Sequence, residues 1–323
     1  MTAPAPALAG LPTPGRGEFA ARHFAGQVGW WLGRDSDGHA VLLVSDDQQG
    51  PDIETAQLLV LRSRRCTISG PERKEGRFTL LQCRSLDDQT TKYFVDLCSD
   101  LGEWARAEPA VSVGELVLTM VEFFRQLLAP ARKTQEGLWA ELLLIRQSSR
   151  PDVLVRAWHM RADDRYDFSA DRQRLEVKAA AGERRVHHFS LLQLNDAQVD
   201  VCVVSTVVEP SAGGVSIREL LDDIASSRQL SPRDVIGIRR VVADVLGREW
   251  LASANERFDR DRAAASIRFL PAAAIPSIAS NCLPDELSDV SFRCDVSAVL
   301  GMTEQQLTSA GGVWAAAVHA AAS

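Results

Sequence analysis

The chain has 323 residues, which is enough for two domains or one large one. Hydrophobic residues make up 46% and charged residues 24%, so the composition excludes a wholly disordered, collagen-like or disulfide-scaffold protein. The net charge of −7 excludes a protein that coats nucleic acid or an anionic membrane as a general polycation. Only four of the 36 basic residues are lysines, namely Lys74, Lys92, Lys133 and Lys178. A lysine placed among chemically useful groups is therefore conspicuous.

The first residues are not expected to form a signal peptide, and no membrane span is expected. The chain has no apolar run near the roughly 20 residues that cross a bilayer, and its first residues include Pro and Gly where a signal peptide needs a continuous apolar core. We expect a cytoplasmic protein without membrane contact, whose residues 1–25 are flexible. Six scattered cysteines without a metal-ligand spacing are expected to be buried, reduced thiols. They are Cys66, Cys83, Cys98, Cys202, Cys282 and Cys294.

From about Gly29 to Leu97, short apolar runs alternate with turn-forming clusters. The runs HAVLLVS, AQLLVLRS, RFTLLQC and KYFVDLC predict an antiparallel sheet with hairpins. After Val111 the apolar period becomes helical, which predicts one helix over 113–128, ended by Pro130, and a second over 134–147. The second helix carries Glu141 on the same face as Leu138, Leu142 and Ile145.

The middle of the chain is predicted to form strands at VLVRAWHM (153–160), RYDFS (165–169), RLEVKAA (174–180), HHFSL (187–191) and VDVCVVSTVV (199–208). The last third is predicted to be mainly helical. A capping box of Ser216 and Glu219 begins one helix, and Ser231 with Pro232 begins another that reaches Leu246. Two strand-like pieces, SIRFLPA and VSFRCDV, precede an Ala-rich C-terminal helix.

The candidate site is built around Glu176, Val177 and Lys178. Residues two apart in a strand share a face, about 6.6 Å apart, so Glu176 and Lys178 project together while Val177 faces the other way. Asp167 lies nine residues earlier, at the end of the preceding short strand, and a hairpin would return it beside Glu176. Glu141 lies upstream on its helix. The strand, the preceding hairpin and the helix are therefore expected to bring a lysine and three acids to one cleft.

These residue types suit the hydrolysis of a phosphodiester. Two carboxylates and the carbonyl of Val177 are hard oxygen ligands of the kind that Mg²⁺ takes. The metal would polarise a phosphoryl oxygen and lower the pKa of a water molecule, while Lys178 would orient the water or neutralise charge on the phosphate. Nothing in this set of residues distinguishes DNA from RNA.

The spacing alone is not specific. Glu72 and Lys74 repeat the acid-x-Lys pattern in SGPERKEG, which is predicted to be a solvated hairpin turn. The context of Lys178 differs, because it stands in an apolar strand with Asp167 and the helical Glu141 upstream. That context carries the prediction.

The order of elements from about Glu136 to Val208 resembles the PD-(D/E)XK nuclease superfamily. The core of that superfamily is a helix, three antiparallel strands, a helix and a further strand. The segments GLWAELLLI, AWH, YDFS, LEVKA and HHFSLLQL also resemble a bacterial family of uncharacterised PD-(D/E)XK motif proteins that accompanies restriction and phage-defence genes. One position departs from the literal motif, because Tyr166 rather than Pro precedes Asp167.

The resemblance implies an α+β or α/β fold with a restriction-endonuclease-like core at residues 113–210, including a leading helix. A β-rich accessory domain at 26–112 and a mainly helical region at 211–323 would flank it. It further implies a Mg²⁺-dependent endodeoxyribonuclease, with Mn²⁺ as a substitute, that acts on DNA beside other defence proteins. The implied metal ligands are Glu141, Asp167, Glu176 and the Val177 carbonyl. Asp167, Glu176 and Lys178 are the implied catalytic residues, and Ser190 and Gln193 are the implied substrate-binding pair.

Structural explanations remain open for several of these residues. Glu176 and Lys178 form the right pair for a surface ion pair, and Ser190 with Gln193 matches a capping box, which is compatible with a place in the site. The adjacent His187 and His188 must face opposite sides of a strand, and neither is expected to act on phosphate. The tryptophans, including Trp30, Trp31, Trp139 and Trp158, are expected to pack in cores.

Two other functions also remain open. One is an inactive nuclease-like module that binds DNA or assembles a defence complex. The other is an adaptor in which the charged residues are structural, with Asp167 more than about 8 Å from an exposed Glu176. A modest sign of nucleic-acid binding is the segment 132–185, which holds twelve basic and nine acidic residues.

Overall fold

The computed structural model describes residues 6–24, 27–69, 73–158, 164–182, 184–250, 252–254, 256–278, 284 and 287–319. These residues have an α+β fold, as the sequence predicts. They divide into two compact units, Met1–Pro130 and Ala131–Ser323.

The first unit is β-rich, which confirms the prediction for this part of the chain. Its strands are β1 (Glu18–His23), β2 (Trp30–Arg34), β3 (Ala40–Ser45), β4 (Ile53–Glu54), β5 (Leu58–Ser69) and β6 (Lys74–Cys83). They form one sheet in the order β1-β2-β3-β6-β5-β4, and a parallel pairing of β1 with β5 closes five of them on themselves. Residues 18–23 thus form a paired strand inside the segment that was expected to be flexible.

The interior of this closed sheet is apolar. Trp31, Leu43, Ile68 and Phe78 are buried there, in agreement with the expected core packing of Trp31. Lys74 opens β6, and its ammonium lies 4.5 Å from the centre of the Trp31 ring. Glu72, the other member of the repeated acid-x-Lys pattern, lies outside the described residues.

The predicted strand at KYFVDLC is wrong, because these residues lie in helix α1 (Asp88–Ala107). Asp87 caps the helix, and its carboxylate accepts from the backbone amides of Gln89 and Thr90. Tyr93, Phe94, Leu97, Cys98 and Leu101 are buried at spacings of one, three or four residues. The short apolar run suggested a strand, but this spacing of buried residues is helical.

Helix α2 (Val113–Gln126) confirms the predicted helix at 113–128. Ser112 and Glu115 form its capping box, and Leu116, Met120 and Phe123 are buried along one face. Contacts group α2 with the first unit, whereas the sequence resemblance placed it at the start of the nuclease core.

The second unit contains the candidate site. Its helices are α3 (Gln135–Gln147), α4 (Pro151–Ala157), α5 (Leu191–Leu194), α6 (Ile217–Ala225), α7 (Pro232–Leu246), α8 (Arg260–Ala265), α9 (Glu304–Ala310) and α10 (Gly312–Ala316). Its strands are β7 (Phe168–Ala170), β8 (Gln173–Ala180), β9 (Val186–Ser190), β10 (Asp200–Val207), β11 (Pro210–Ser216), β12 (Arg257–Phe258), β13 (Arg268–Pro271) and β14 (Ser291–Asp295). The capping residues Ser216 and Ser231 begin α6 and α7, as predicted.

A four-stranded mixed sheet in the order β13-β10-β8-β7 forms the centre of the unit. β8 pairs with β10 in parallel, and the two outer pairings are antiparallel. Val203 of β10 and Leu270 of β13 share an apolar core with Tyr166 and Phe189. Strands β13 and β14 confirm the strand-like pieces SIRFLPA and VSFRCDV of the last third of the chain, and β13 completes this sheet.

The expected ladder of three antiparallel strands differs from the structure. Its second and third strands, β7 and β8, form an antiparallel hairpin, but residues 151–157, in the expected first strand, form helix α4. Strand β9, which follows the third strand, pairs with β14 in a separate two-stranded sheet. The pairing of Phe189 with Phe292 joins residues more than a hundred positions apart. Local alternation of apolar residues predicts that a strand exists, but it does not select the partner.

The predicted strand at residues 153–160 is also wrong for its described part. Residues 151–157 form α4, with Pro151 in the first turn, while 159 and 160 lie outside the described residues. A short apolar run such as VLVRAW fits a strand or a buried helix equally well. Pro151 was the available signal, since proline is favoured at the first helical position.

Helix α3 confirms the predicted helix at 134–147 and is buried along most of its length. Thr134 caps it, and every residue from Leu138 to Ile145 is buried. Helices α4 and α6 and strand β8 all contact it, and the indole of Trp139 donates to the carbonyl of Val215 at 2.9 Å. A helix enclosed in this way carries Glu141 into the interior of the unit.

The described cysteines agree with the expectation of reduced thiols. Cys66, Cys83, Cys98 and Cys202 are buried and free, and Cys294 is half-buried and free. Cys282 lies outside the described residues.

Candidate active site

The structure brings Glu141, Asp167, Glu176 and Lys178 to one place. The β7–β8 hairpin pairs Phe168 with Leu175, so Asp167, just before β7, stands beside β8. Its Oδ2 accepts from the backbone amide of Val177 at 2.7 Å. All three acids are buried, with exposures of 1% for Glu141 and 5% for Asp167 and Glu176. The exposed surface that the adaptor hypothesis required is therefore not what this strand presents.

Glu141 is held at both carboxylate oxygens. The indole Nε1 of Trp158 donates to Oε2 at 2.8 Å, and the ammonium of Lys133 donates to Oε1 at 2.8 Å. A buried carboxylate without such partners is costly, so these two donors explain how the helix keeps a charge in its apolar surroundings.

Asp167 is fixed in the same manner. Its Oδ1 accepts from Lys133, and its Oδ2 accepts from the amide of Val177. In a strand, the amide and carbonyl of one residue point to the same side, so the Val177 carbonyl lies on the side of Asp167.

Glu176 has an uneven environment. Its Oε1 accepts from Lys178 Nζ at 2.7 Å and from Gln193 Nε2 at 2.8 Å. Its Oε2 is buried and has no hydrogen-bond partner within the part of the chain that is described. Burial, and then the charge of Asp167, raise the pKa of Glu176 to about 8, although Lys178 acts in the opposite direction. Lys178 therefore only partly offsets the effects of burial and of Asp167 on this carboxyl.

Ser190 and Gln193 serve the fold and the site together. Gln193 Oε1 accepts from the amide of Ser190 at 3.0 Å, which completes a capping box at the start of α5. The side-chain Nε2 of the same Gln193 donates to Glu176 Oε1. The Ser190 hydroxyl accepts from the backbone amide of Gln193 at 3.3 Å. Its described contact with the site therefore runs through Gln193.

Sequence reasoning missed Lys133 and assigned Trp158 only to the core. Trp158 is buried as expected, but it also donates to Glu141. Lys133 binds Glu141 and Asp167 from the segment before α3. Burial alone would lower the pKa of Lys133, but Glu141 and Asp167 hold it above its ordinary value. The scarcity of lysine was the one sequence signal that singled this residue out.

The two histidines of β9 face opposite sides, as predicted. His188 is exposed, whereas His187 is buried and its Nε2 lies 2.8 Å from the hydroxyl of Ser205. Burial, then the charges of Lys178 and Arg185, lower the pKa of His187 to about 4.

The buried His187 predicts a pH dependence of stability. The unfolded chain protonates this histidine near pH 6.5 and the folded protein only near pH 4, so the group stabilises the fold above pH 6.5. Between pH 6.5 and 4 we expect that contribution, on the order of 2–3 kcal/mol, to be lost. Urea unfolding across this range should show the loss in wild type and in the exposed control His188→Gln, but not in His187→Gln. An equal loss in His187→Gln would contradict the assignment.

A second acidic group lies in the first unit. Among the described residues, Asp35, Asp37 and His39 form the one set of three ligand-type side chains within 4.8 Å of one another. Asp35 already accepts from the amides of Asp37 and His39 and from Gln82, so the set closes the turn between β2 and β3. Glu141, Asp167 and Glu176 are less tightly gathered than this set, and the Lys133 ammonium pairs with the first two.

Among the helices of the described residues, none combines the length and apolar character that a membrane crossing requires.

Residues 9–297, most of the chain, match the model of a family described as "Putative PD-(D/E)XK family member, (DUF4420)". Comparisons with curated proteins and with solved structures returned no match. The buried acids and the lysine after Val177 thus occur in a chain that belongs to this PD-(D/E)XK family.

Proposed function

We propose that the protein is a metal-dependent nuclease that hydrolyses phosphodiester bonds of DNA. The observation that carries this proposal is the convergence of three buried carboxylates with Lys178, together with the unpartnered Oε2 of Glu176. A structural ion pair would use both oxygens or lie at the surface. A buried carboxylate oxygen without a donor is suited to a cation.

The donor set fits a hard divalent cation. Glu141, Asp167, Glu176 and the Val177 carbonyl would hold it, since Mg²⁺ and Mn²⁺ prefer oxygen ligands. When bound, such a cation would polarise a phosphoryl oxygen and lower the pKa of a water molecule. The positive charge of the cation would also stabilise the ionised form of Glu176, which burial and Asp167 disfavour.

Lys178 is placed to act on the substrate. Its side chain is 20% exposed, so the ammonium reaches the solvent side of the site while it pairs with Glu176. It also lies 5.4 Å from the centre of the Phe189 ring, which limits its range of positions. From there it would neutralise charge on a phosphate or orient the attacking water. Gln193 holds Glu176 from the other side and would keep its oxygen aligned.

The choice of DNA and of a defence role rests on charge and on the family resemblance. The excess of basic residues in 132–185 suits a polyanion, and exposed Arg172 and half-buried Arg174 lie at the start of β8. A restriction or anti-phage role, with partner proteins, rests on the resemblance of GLWAELLLI and LEVKA to proteins that accompany defence genes.

The direct test compares wild type with Lys178→Ala on plasmid, single-stranded DNA and RNA. With Mg²⁺ or Mn²⁺ we expect wild type to cleave DNA, EDTA to stop it, and the variant to lose about 10²-fold or more in rate. Lys92→Ala is the matched control, because Lys92 is an exposed lysine that pairs with Asp96. Equal rates for wild type and Lys178→Ala would refute the catalytic role.

A second candidate function is a nuclease-like subunit that binds DNA without cutting it. The observation that favours it is Lys133, whose ammonium already pairs with both Glu141 and Asp167 in the described structure. Intact DNA binding without cleavage in any divalent cation would select this function. Metal-dependent cleavage that Lys178→Ala abolishes would select the nuclease.

A further inference from the structure

Lys133 occupies the gap between two of the proposed metal ligands. Its ammonium bonds to Glu141 Oε1 at 2.8 Å and also to Asp167 Oδ1. These oxygens come from a helix and from the start of a hairpin, and the lysine comes from the segment that precedes the helix. One cation thus joins three separate parts of the unit.

The electrostatics of this arrangement are those of a cation site. Two carboxylates buried to 1% and 5% exposure repel each other unless positive charge lies between them. The ammonium supplies one positive charge at that position, while a divalent cation would supply two. Only one of these cations fits between the same two oxygens at ligand distance.

We propose that Lys133 is a positioning residue that acts as the resident counter-ion of the site, holding Glu141 and Asp167 in place without metal and yielding to a divalent cation. This inference rests on the proposed function, because it assumes that the acids bind metal. It goes beyond it by assigning competition between a lysine and the metal for the same oxygens.

The surroundings allow the ammonium to leave. The Lys133 side chain is 33% exposed, and its four-carbon stem can swing toward solvent without moving the backbone. The backbone on either side is held, since the amide of Arg132 donates to the carbonyl of Val245 at 2.8 Å and Thr134 caps α3. Removal of the ammonium would therefore leave the acids anchored by Trp158 and by the Val177 amide.

Lysine labelling of the wild-type protein tests the exchange directly. Acetic anhydride followed by mass spectrometry reports each of the four lysines separately, with exposed Lys92 as the internal standard. We expect Lys133 to be protected in EDTA and to be labelled at least about fivefold faster, relative to Lys92, with saturating Mg²⁺. Unchanged protection of Lys133 under saturating Mg²⁺ would overturn the proposal.

Metal binding by variants gives a second, independent readout. We expect Lys133→Met and Lys133→Gln to bind Mn²⁺ at least about tenfold more tightly than wild type in titrations followed by electron paramagnetic resonance. Without metal, both variants should also melt at a lower temperature than wild type. Adding metal should raise their melting temperature by more than it raises that of wild type. Lys133→Arg retains a cation and should stay near wild-type affinity, as should the surface control Lys92→Met. Unchanged or weaker Mn²⁺ binding in folded Lys133→Gln would overturn the proposal.

These measurements need no nucleic acid, so they separate this inference from the proposed function. Lysine exchange without DNA cleavage would uphold the role of Lys133 and refute the nuclease. Metal-dependent cleavage with a Lys133 that stays protected from labelling would uphold the nuclease and refute the role of Lys133. Should the Met variant fail to fold, the wild-type labelling and the Gln variant still decide the question.

Discussion

Replacing Glu176 with glutamine is expected to abolish metal-dependent cleavage and to leave the metal-free protein as stable as wild type or more stable. The cleavage rate should fall by at least about 10³-fold, because the variant loses a charged ligand at the oxygen that has no other partner. The two effects have opposite signs, which is typical of a group retained for function at a cost in stability.

The stability argument follows from the raised pKa. Because burial and Asp167 raise the pKa of Glu176 to about 8, ionisation of this carboxyl weakens the fold progressively as the pH rises from about 4.5 to 8. Glutamine removes that penalty. Its amide oxygen can replace Oε1 and accept from Lys178 and Gln193, while its amide nitrogen takes the place of the unpartnered Oε2.

Urea unfolding in EDTA at pH 7.5 measures this effect. We expect Glu176→Gln to unfold at the same or a higher free energy, with a gain on the order of 1 kcal/mol. Glu136→Gln is the control, since Glu136 is exposed in the first turn of α3 and should retain cleavage. Retention of cleavage by Glu176→Gln, or a large loss of stability, would contradict the assignment.

Replacing Asp167 with asparagine is expected to abolish cleavage and, in contrast, to destabilise the fold by about 3 kcal/mol. Asp167 accepts at both oxygens, from Lys133 and from the amide of Val177. Asparagine has one acceptor and one donor group, so one of those donors must face an amide nitrogen. The buried Glu141–Lys133 pair also loses its third member.

The matched pair of variants separates function from structure. Both Asp167→Asn and Glu176→Gln replace one buried carboxylate by its amide, and both should fail to cleave DNA. Only the asparagine variant should show a lower free energy of unfolding in EDTA, since only at Asp167 do both oxygens accept described hydrogen bonds. Equal stability of the two variants would mean that the described partners of Asp167 are not its principal support.

The sequence predicted the local parts of the site well. The alternation around Glu176 and Lys178 predicts a strand, and the short spacing to Asp167 predicts the hairpin that returns it. Thr134 and the apolar face of the following residues predict the helix that carries Glu141. These features depend on contacts between residues close in the chain, so pattern and capping chemistry are sufficient.

The tertiary structure decided two kinds of feature. One is the conformation of short apolar runs, and the other is contact between residues that are distant in the chain. The runs at 92–98 and 153–158 fit a strand or a helix, and their packing chose the helix. β9 pairs with β14, whose residues lie more than a hundred positions later, and local alternation of apolar residues does not select such a partner. Lys133 joins Asp167 across 34 positions, a contact that no local spacing encodes. The sequence determined which residues could form the site, and the fold determined that a second rare lysine lies between its acids.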